Sequence, residues 1–181
     1  MSMRRQRCVR SGVLLPAAHL MTLFPDYLQQ SSGLTSISSE GNAIMRVDTT
    51  PQVTGNRASV RIQSQFTLTA GGLVIMDSVH MPTGCGTWPA FWTKGPNWPV
   101  DGEIDIVEGV NNYTNSQATL HTGVGCTLPN DATQLNMSGS LVSGLNCAAS
   151  QTGNDGCGVR ASQTNSFGEP FNNNGGGVYA S

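Results

Sequence analysis

Charge is the scarcest commodity in these 181 residues. Asp, Glu, Lys and Arg together make up 11% of the chain, against roughly a quarter in an average soluble domain. The net charge is −2, which leaves no basic footprint for nucleic acid and no polybasic patch for a membrane. Long amphipathic helical stretches are missing too, which argues against a helical bundle. No apolar run is long enough to span a bilayer. Although there are five cysteines, Cys8, Cys85, Cys126, Cys147 and Cys157, none shows the C-x-x-C spacing of a zinc or redox site. No metal ligand set and no cofactor motif is read, so no cofactor is expected.

What the chain has is glycine (22) and proline (9), punctuating short β-prone runs. That pattern predicts an all-β sandwich or barrel with many turns. Residues 43–47 read as a short strand. Residues 59–66 alternate with period two, Val60 and Ile62 against Arg61 and Gln63. Residues 72–81 form a more continuous apolar run, suited to a strand buried on both faces. Further strands are expected around the acidic segment at 103–108 and at 117–122. Residues 125–177, rich in Gly, Asn, Ser and Thr, read as long loops pinned by Cys126, Cys147 and Cys157, and residues 177–181 begin another strand.

The first 32 residues read apart from the rest. MSMRRQRCVR is basic and SGVLLPAAHLMTLF is apolar but interrupted by Pro16 and His19. This is either a poor secretory signal or the wrong start of a gene model. With Cys8 set aside, four cysteines remain, with three possible disulfide connectivities. Asn112 and Asn136 each begin an N-x-S/T tripeptide. Together with the low charge these features favour a secreted protein.

Against this background GEIDIVEG, residues 102–109, stands out. It puts three of the chain's eleven carboxylates, Glu103, Asp105 and Glu108, within six residues. On a helix, positions 103 and 108 would lie about 140° apart, and Ile104, Ile106 and Val107 favour a strand. On a regular strand Glu103 and Asp105 share a face while Glu108 takes the other. One extra residue, a β-bulge near Ile106 or Val107, would return Glu108 to the face of Glu103. The two glutamates would then be about 13 Å apart at Cα, with carboxyl groups on the order of 5–6 Å apart. That is the spacing of a retaining glycosidase, in which one carboxylate attacks the sugar and the other protonates the leaving oxygen. Asp105 between them can share a proton with the nucleophile. The plainer readings are a solvated acidic edge and a calcium site, the latter poorly served by a strand of Ile and Val.

The flanks narrow the choice. VHMPTGCGTWPAFWTKGPNWPVDGEIDIVEGVNN followed by ATLHTG resembles glycoside hydrolase family 16, most closely the fungal endo-1,3(4)-β-glucanases or laminarinases. The E-I-D-I-V-E hexapeptide is a form of that family's bulged active-site motif, supported by W-P-A-F-W, P-N-W-P and A-T-L-H-T. The likeness runs from about Gly33 to Ala180 and implies a concanavalin A-like β-jelly-roll sandwich with the acidic strand on the concave face. It implies retaining hydrolysis of β-1,3 or mixed β-1,3/1,4-glucan, with a β-glucan polysaccharide as partner, no nucleic acid, no membrane, and a monomer. By this resemblance Glu103 matches the nucleophile, Glu108 the general acid/base, Asp105 the assisting carboxylate and His121 a histidine beside the acid/base. Trp92 and Trp98 match aromatic residues lining sugar subsites, and Arg61 a sugar-contacting arginine. Trp88 is left open between core and cleft. Family members carry strands before residue 33 and after residue 181, so residues 33–181 are expected to be a partial catalytic domain. A non-catalytic glucan-binding relative and an inactive truncated fragment are the competing expectations.

Overall fold

The computed structural model describes residues 33–64, 67–68, 71–131 and 134–181, together with the backbone of 12–16. Of the expected leader, residues 1–11 and 17–32 lie outside the described residues, as do positions 65 and 66 of the alternating run.

Among the described residues ten strands build three antiparallel sheets. β1 (Gly12–Pro16) and β2 (Thr35–Ile37) flank β3 (Asn42–Arg46). β4 (Ile75–Ser78) pairs with β10 (Gly177–Ala180). The largest sheet runs β5 (Ala90–Lys94), β6 (Glu103–Glu108), β7 (Gln117–His121), β9 (Cys157–Arg160) and β8 (Ser140–Leu141) in spatial order. The fold is all-β, as the sequence predicts, with one short α-helix among the described residues, α1 (Gly168–Asn173).

Sequence chemistry explains two neighbouring strands of the largest sheet. β-branched and aromatic residues crowd β5 and β6, and side chains of that type pack well on a pleated surface. Asn111 reverses the chain after β6 at a φ of 55°, a left-handed conformation that asparagine tolerates better than most residues. Core-facing Phe91, Ile106 and Val107 then meet Met76 of β4 and Tyr179 of β10, with Met81, Phe167 and Phe171 filling the space between. The β4–β10 pair thus forms the second layer over one face of the five-stranded sheet. Helix α1 is fastened to that layer at two points. Phe171 stacks on Tyr179 with ring centroids 5.5 Å apart. Asn172 accepts from the Met81 N–H at 2.9 Å and donates to its carbonyl at 2.9 Å.

Three expectations need correction. The run 72–81 yields only a four-residue strand, and it is not buried on both faces: Met76 and Ser78 point inward, whereas Ile75 is 59% exposed. Among the described residues β4 pairs with β10 alone, and it is its Met76 side that packs against the large sheet. Residues 59–64 form no strand, although Val60 and Ile62 are more sheltered than Arg61 and Gln63. Finally, the segment read as loops between 125 and 177 contributes β8 and β9 to the main sheet. Cys147 and Cys157, ten residues apart, form a disulfide there, while Cys126 is exposed and outside it. Cys126 contributes its backbone carbonyl instead, accepting from the Cys147 N–H at 3.0 Å.

Candidate active site

The face of the large sheet opposite the core collects the acidic residues. Its geometry follows from register. From Lys94↔Glu103 to Trp92↔Asp105 the β5–β6 pairing is regular, and it then shifts by one residue, to Phe91↔Val107 and Ala90↔Glu108. The β6–β7 pairing shifts at the same place, from Asp105↔Thr119 to Glu108↔Gln117. Ile106 is therefore the extra residue of a β-bulge, as the sequence predicts. Directly opposed residues share a face, so Glu103, Asp105 and Glu108 all point the same way. Ile106 and Val107 both join the apolar side.

Around the acids stand Lys94 and Trp92 from β5, His121, Thr119 and Gln117 from β7, and Gly158 and Arg160 from β9. Asp105 is the hub. It is 3% exposed, and its Oδ2 lies 3.2 Å from His121 Nε2. Burial, then the charges of Glu108 and Glu103, and a hydrogen bond shared with Glu103 push its pKa from 3.8 up to about 7. Of three like charges in one pocket, the most buried is the one that keeps its proton. A protonated Asp105 can donate to Glu103, leaving that carboxylate ionised beside it.

His121 is also buried, and its Nδ1 has no partner among the described residues. Gly156, at a φ of 61°, closes behind it. A Cβ there would fall 2.4 Å from the Leu120 carbonyl oxygen and 2.9 Å from His121 Nδ1. Only glycine lets the chain leading into β9 approach the histidine this closely.

Each glutamate has an indole of its own. Trp98 donates from Nε1 to Glu103 Oε2. Trp88 donates from Nε1 to Glu108 Oε1 at 2.7 Å. Trp92 carries the Arg61 guanidinium 4.5 Å from its ring centroid, a cation–π contact. All seven residues singled out in the sequence thus fall into one cluster on one face.

Sequence reasoning left Trp88 undecided and did not single out Gln117, Thr119 or Arg160. Gln117 Nε2 donates to Thr119 Oγ1 at 3.2 Å, and Arg160 Nη2 donates to Gln117 Oε1 at 3.0 Å. The strict alternation of Gln117, Thr119 and His121 along β7 was the available signal for the first two. Arg160 lies in the segment read as loop. Among the described residues no group of three or more His, Cys, Asp or Glu side chains could hold a metal ion.

Comparison with known proteins gives the family and the fold. Residues 26–181 match the model of the XgeA-like catalytic GH16 domain. A probable glycosidase of Schizosaccharomyces pombe is 46% identical over 160 residues, 86% of this chain and 38% of that protein. A probable endo-1,3(4)-β-glucanase of Aspergillus flavus is 46% identical over 155 residues, 83% of this chain and 22% of that one. Laminarinase 16A of Phanerochaete chrysosporium, solved with two β-glucans in its donor and acceptor sites, superposes with a TM-score of 0.78 at 36% identity. That superposition covers 95% of this chain and 63% of the laminarinase. The chain therefore spans well under half the length of these two relatives, and its described sheets correspond to the jelly-roll of the laminarinases. Register, carboxylate cluster and family model converge, and the chain belongs to glycoside hydrolase family 16, with an XgeA-like catalytic domain.

Proposed function

We propose that the site hydrolyses β-1,3 or mixed β-1,3/1,4-glucan with retention of anomeric configuration. The observation that carries this reading is the Ile106 bulge, which sets Glu103 and Glu108 on one face with Asp105 between them. Glu103 attacks the anomeric carbon and forms a glycosyl-enzyme ester, while Glu108 gives its proton to the departing oxygen. Glu108 then takes a proton from water, which attacks the ester and frees Glu103.

Asp105 holds a proton of its own, beside the one on Glu108. Its hydrogen bond to Glu103 keeps the nucleophile oriented, and its neutral form avoids a second negative charge beside that carboxylate, while His121 steadies Asp105 from the β7 side. Trp92 and Trp98 offer ring faces to the C–H groups of the pyranose units, and Arg61 over Trp92 offers donors to their hydroxyls. The Cys147–Cys157 disulfide fits an extracellular location, since such bonds persist in oxidising compartments.

The test is release of reducing ends from laminarin by the full chain, alongside Glu103→Gln. Replacing the nucleophile is expected to lower turnover on the order of a thousandfold or more. Release that survives in Glu103→Gln removes the nucleophile assignment. Proton NMR of the first product is expected to show the β-anomer; an α-anomer removes the retaining mechanism. Cooperative melting and glucan binding without release would make the chain a binding relative instead.

A further inference from the structure

Trp88 stands outside any strand and is 70% exposed. Exposure on that scale is costly for an indole, yet the segment before it is built to hold it. Asn111, just beyond the end of β6, ties down the strap 84–87 through three hydrogen bonds. Its carbonyl accepts from the Gly84 N–H at 3.1 Å, its N–H donates to the Thr87 carbonyl at 2.9 Å, and its Oδ1 accepts from the Gly86 N–H at 2.8 Å. The Thr87 hydroxyl closes the strap on the Gly84 carbonyl at 2.8 Å. The same residue that turns the chain after Glu108 thereby fixes the height of Trp88 over it, and the indole N–H reaches Glu108 Oε1 at 2.7 Å.

We infer that Trp88 is a positioning residue for Glu108, and that its open ring carries the sugar on the leaving-group side. An N–H bond to one carboxyl oxygen fixes the rotation of the group and reserves the other oxygen, Oε2, for the proton delivered to the glycosidic bond. The general acid sits beside the departing sugar, so a ring face bordering it is within reach of that sugar's C–H groups. The charged and titratable groups around Glu108 are Glu103 and Asp105 on its own strand, His121 on β7, Lys94 on β5, and Arg160 on β9 acting through Gln117. The indole donates to Glu108 directly.

The kinetic arm of the test rests on the hydrolytic function proposed above; the spectroscopic arm does not. In the full chain, the Trp88 Nε1–H resonance, assigned by its loss in Trp88→Phe, is expected downfield. In Glu108→Gln it is expected to move upfield. An unchanged resonance overturns the contact whatever the turnover. In Trp88→Phe, the ring stays and the donor goes. Loss of the donor frees the Glu108 carboxyl to rotate away from the glycosidic oxygen. The kcat on laminari-oligosaccharides is therefore expected to fall about tenfold, with KM within about twofold. Trp88→Leu removes the ring as well and is expected to raise KM for longer oligosaccharides about tenfold. A kcat in Trp88→Phe equal to the parent's refutes the positioning role. An unchanged KM in Trp88→Leu refutes the platform. If the parent shows no turnover at all, the hydrolytic function fails, and the resonance alone decides for or against the contact.

Discussion

Replacing Asp105 by asparagine should make the protein more stable while making it a poorer catalyst. The aspartate titrates at 3.8 when unfolded and at about 7 in the fold. A carboxyl whose folded pKa is raised gives its full support to the fold only below pH 3.8. Between 3.8 and 7 the unfolded chain releases the proton and the folded chain keeps it, so stability falls by about 1.4 kcal/mol per pH unit. Over the interval of 7 − 3.8 = 3.2 units the loss is about 4 kcal/mol. Asparagine has the same shape, accepts through Oδ1 where the carboxyl meets His121, and donates through Nδ2 to Glu103, but never ionises. Urea midpoints of parent and Asp105→Asn should therefore nearly coincide below pH 4 and separate progressively to pH 8. At about 2–4 °C per kcal/mol for a chain of this size, the variant should melt roughly 10 °C higher at pH 8. Turnover should drop, because the amide has no proton to share with Glu103. A gap that stays constant with pH, or a variant less stable at pH 8, would refute the placement of a neutral carboxyl at the centre of the cluster.

Two further outcomes test the scaffold around the site. Cys147→Ala/Cys157→Ala opens a loop closed over a separation of ten residues and is expected to cost about 3 kcal/mol, read as a lower urea midpoint; an unchanged midpoint would mean that the bond does not restrain the unfolded chain. Gly109→Ala places a Cβ 2.6 Å from Phe167 Cε1, and Phe167 is 1% exposed with nowhere to retreat. It should destabilise by about 1–3 kcal/mol and, being next to Glu108, slow turnover as well; a melting temperature equal to the parent's would contradict this packing.

The acidic strand was legible because two local rules conflict in it. Glu103 and Asp105 obey the two-residue period of a strand and Glu108 breaks it, and the cheapest repair is one extra residue at Ile106 or Val107. Trp92, Trp98, His121 and Arg61 came from the family likeness; spacing alone could not have assigned them. What stayed hidden depends on pairing between distant segments. Nothing local marks Cys157-Gly158-Val159-Arg160 as a sheet strand, because its register is fixed by β7, some forty residues earlier, and by a disulfide. The apolar run at 72–81 misled for the converse reason. Its composition suits a doubly covered strand, but the pairing leaves Ile75 and Leu73 facing outward. Trp88 was ambiguous because its role follows from Asn111, twenty-three positions on, which no periodicity connects to it.

The Ile106 bulge has a consequence for how this sequence avoids folding wrongly. Were the six residues of β6 to pair without it, Glu108 would turn inward toward Met76, Phe167 and Phe171, and Val107 would turn out into the cleft. An unpaired carboxylate among those rings would cost several kcal/mol, and a core methyl-bearing side chain would be lost besides. The glutamate assigned to catalysis therefore also penalises the misaligned sheet, and removing its charge should relax the selection between the two alignments. Single-residue insertions or deletions within 103–108 should be among the least tolerated changes in the chain, since each exchanges cleft for core at every position that follows.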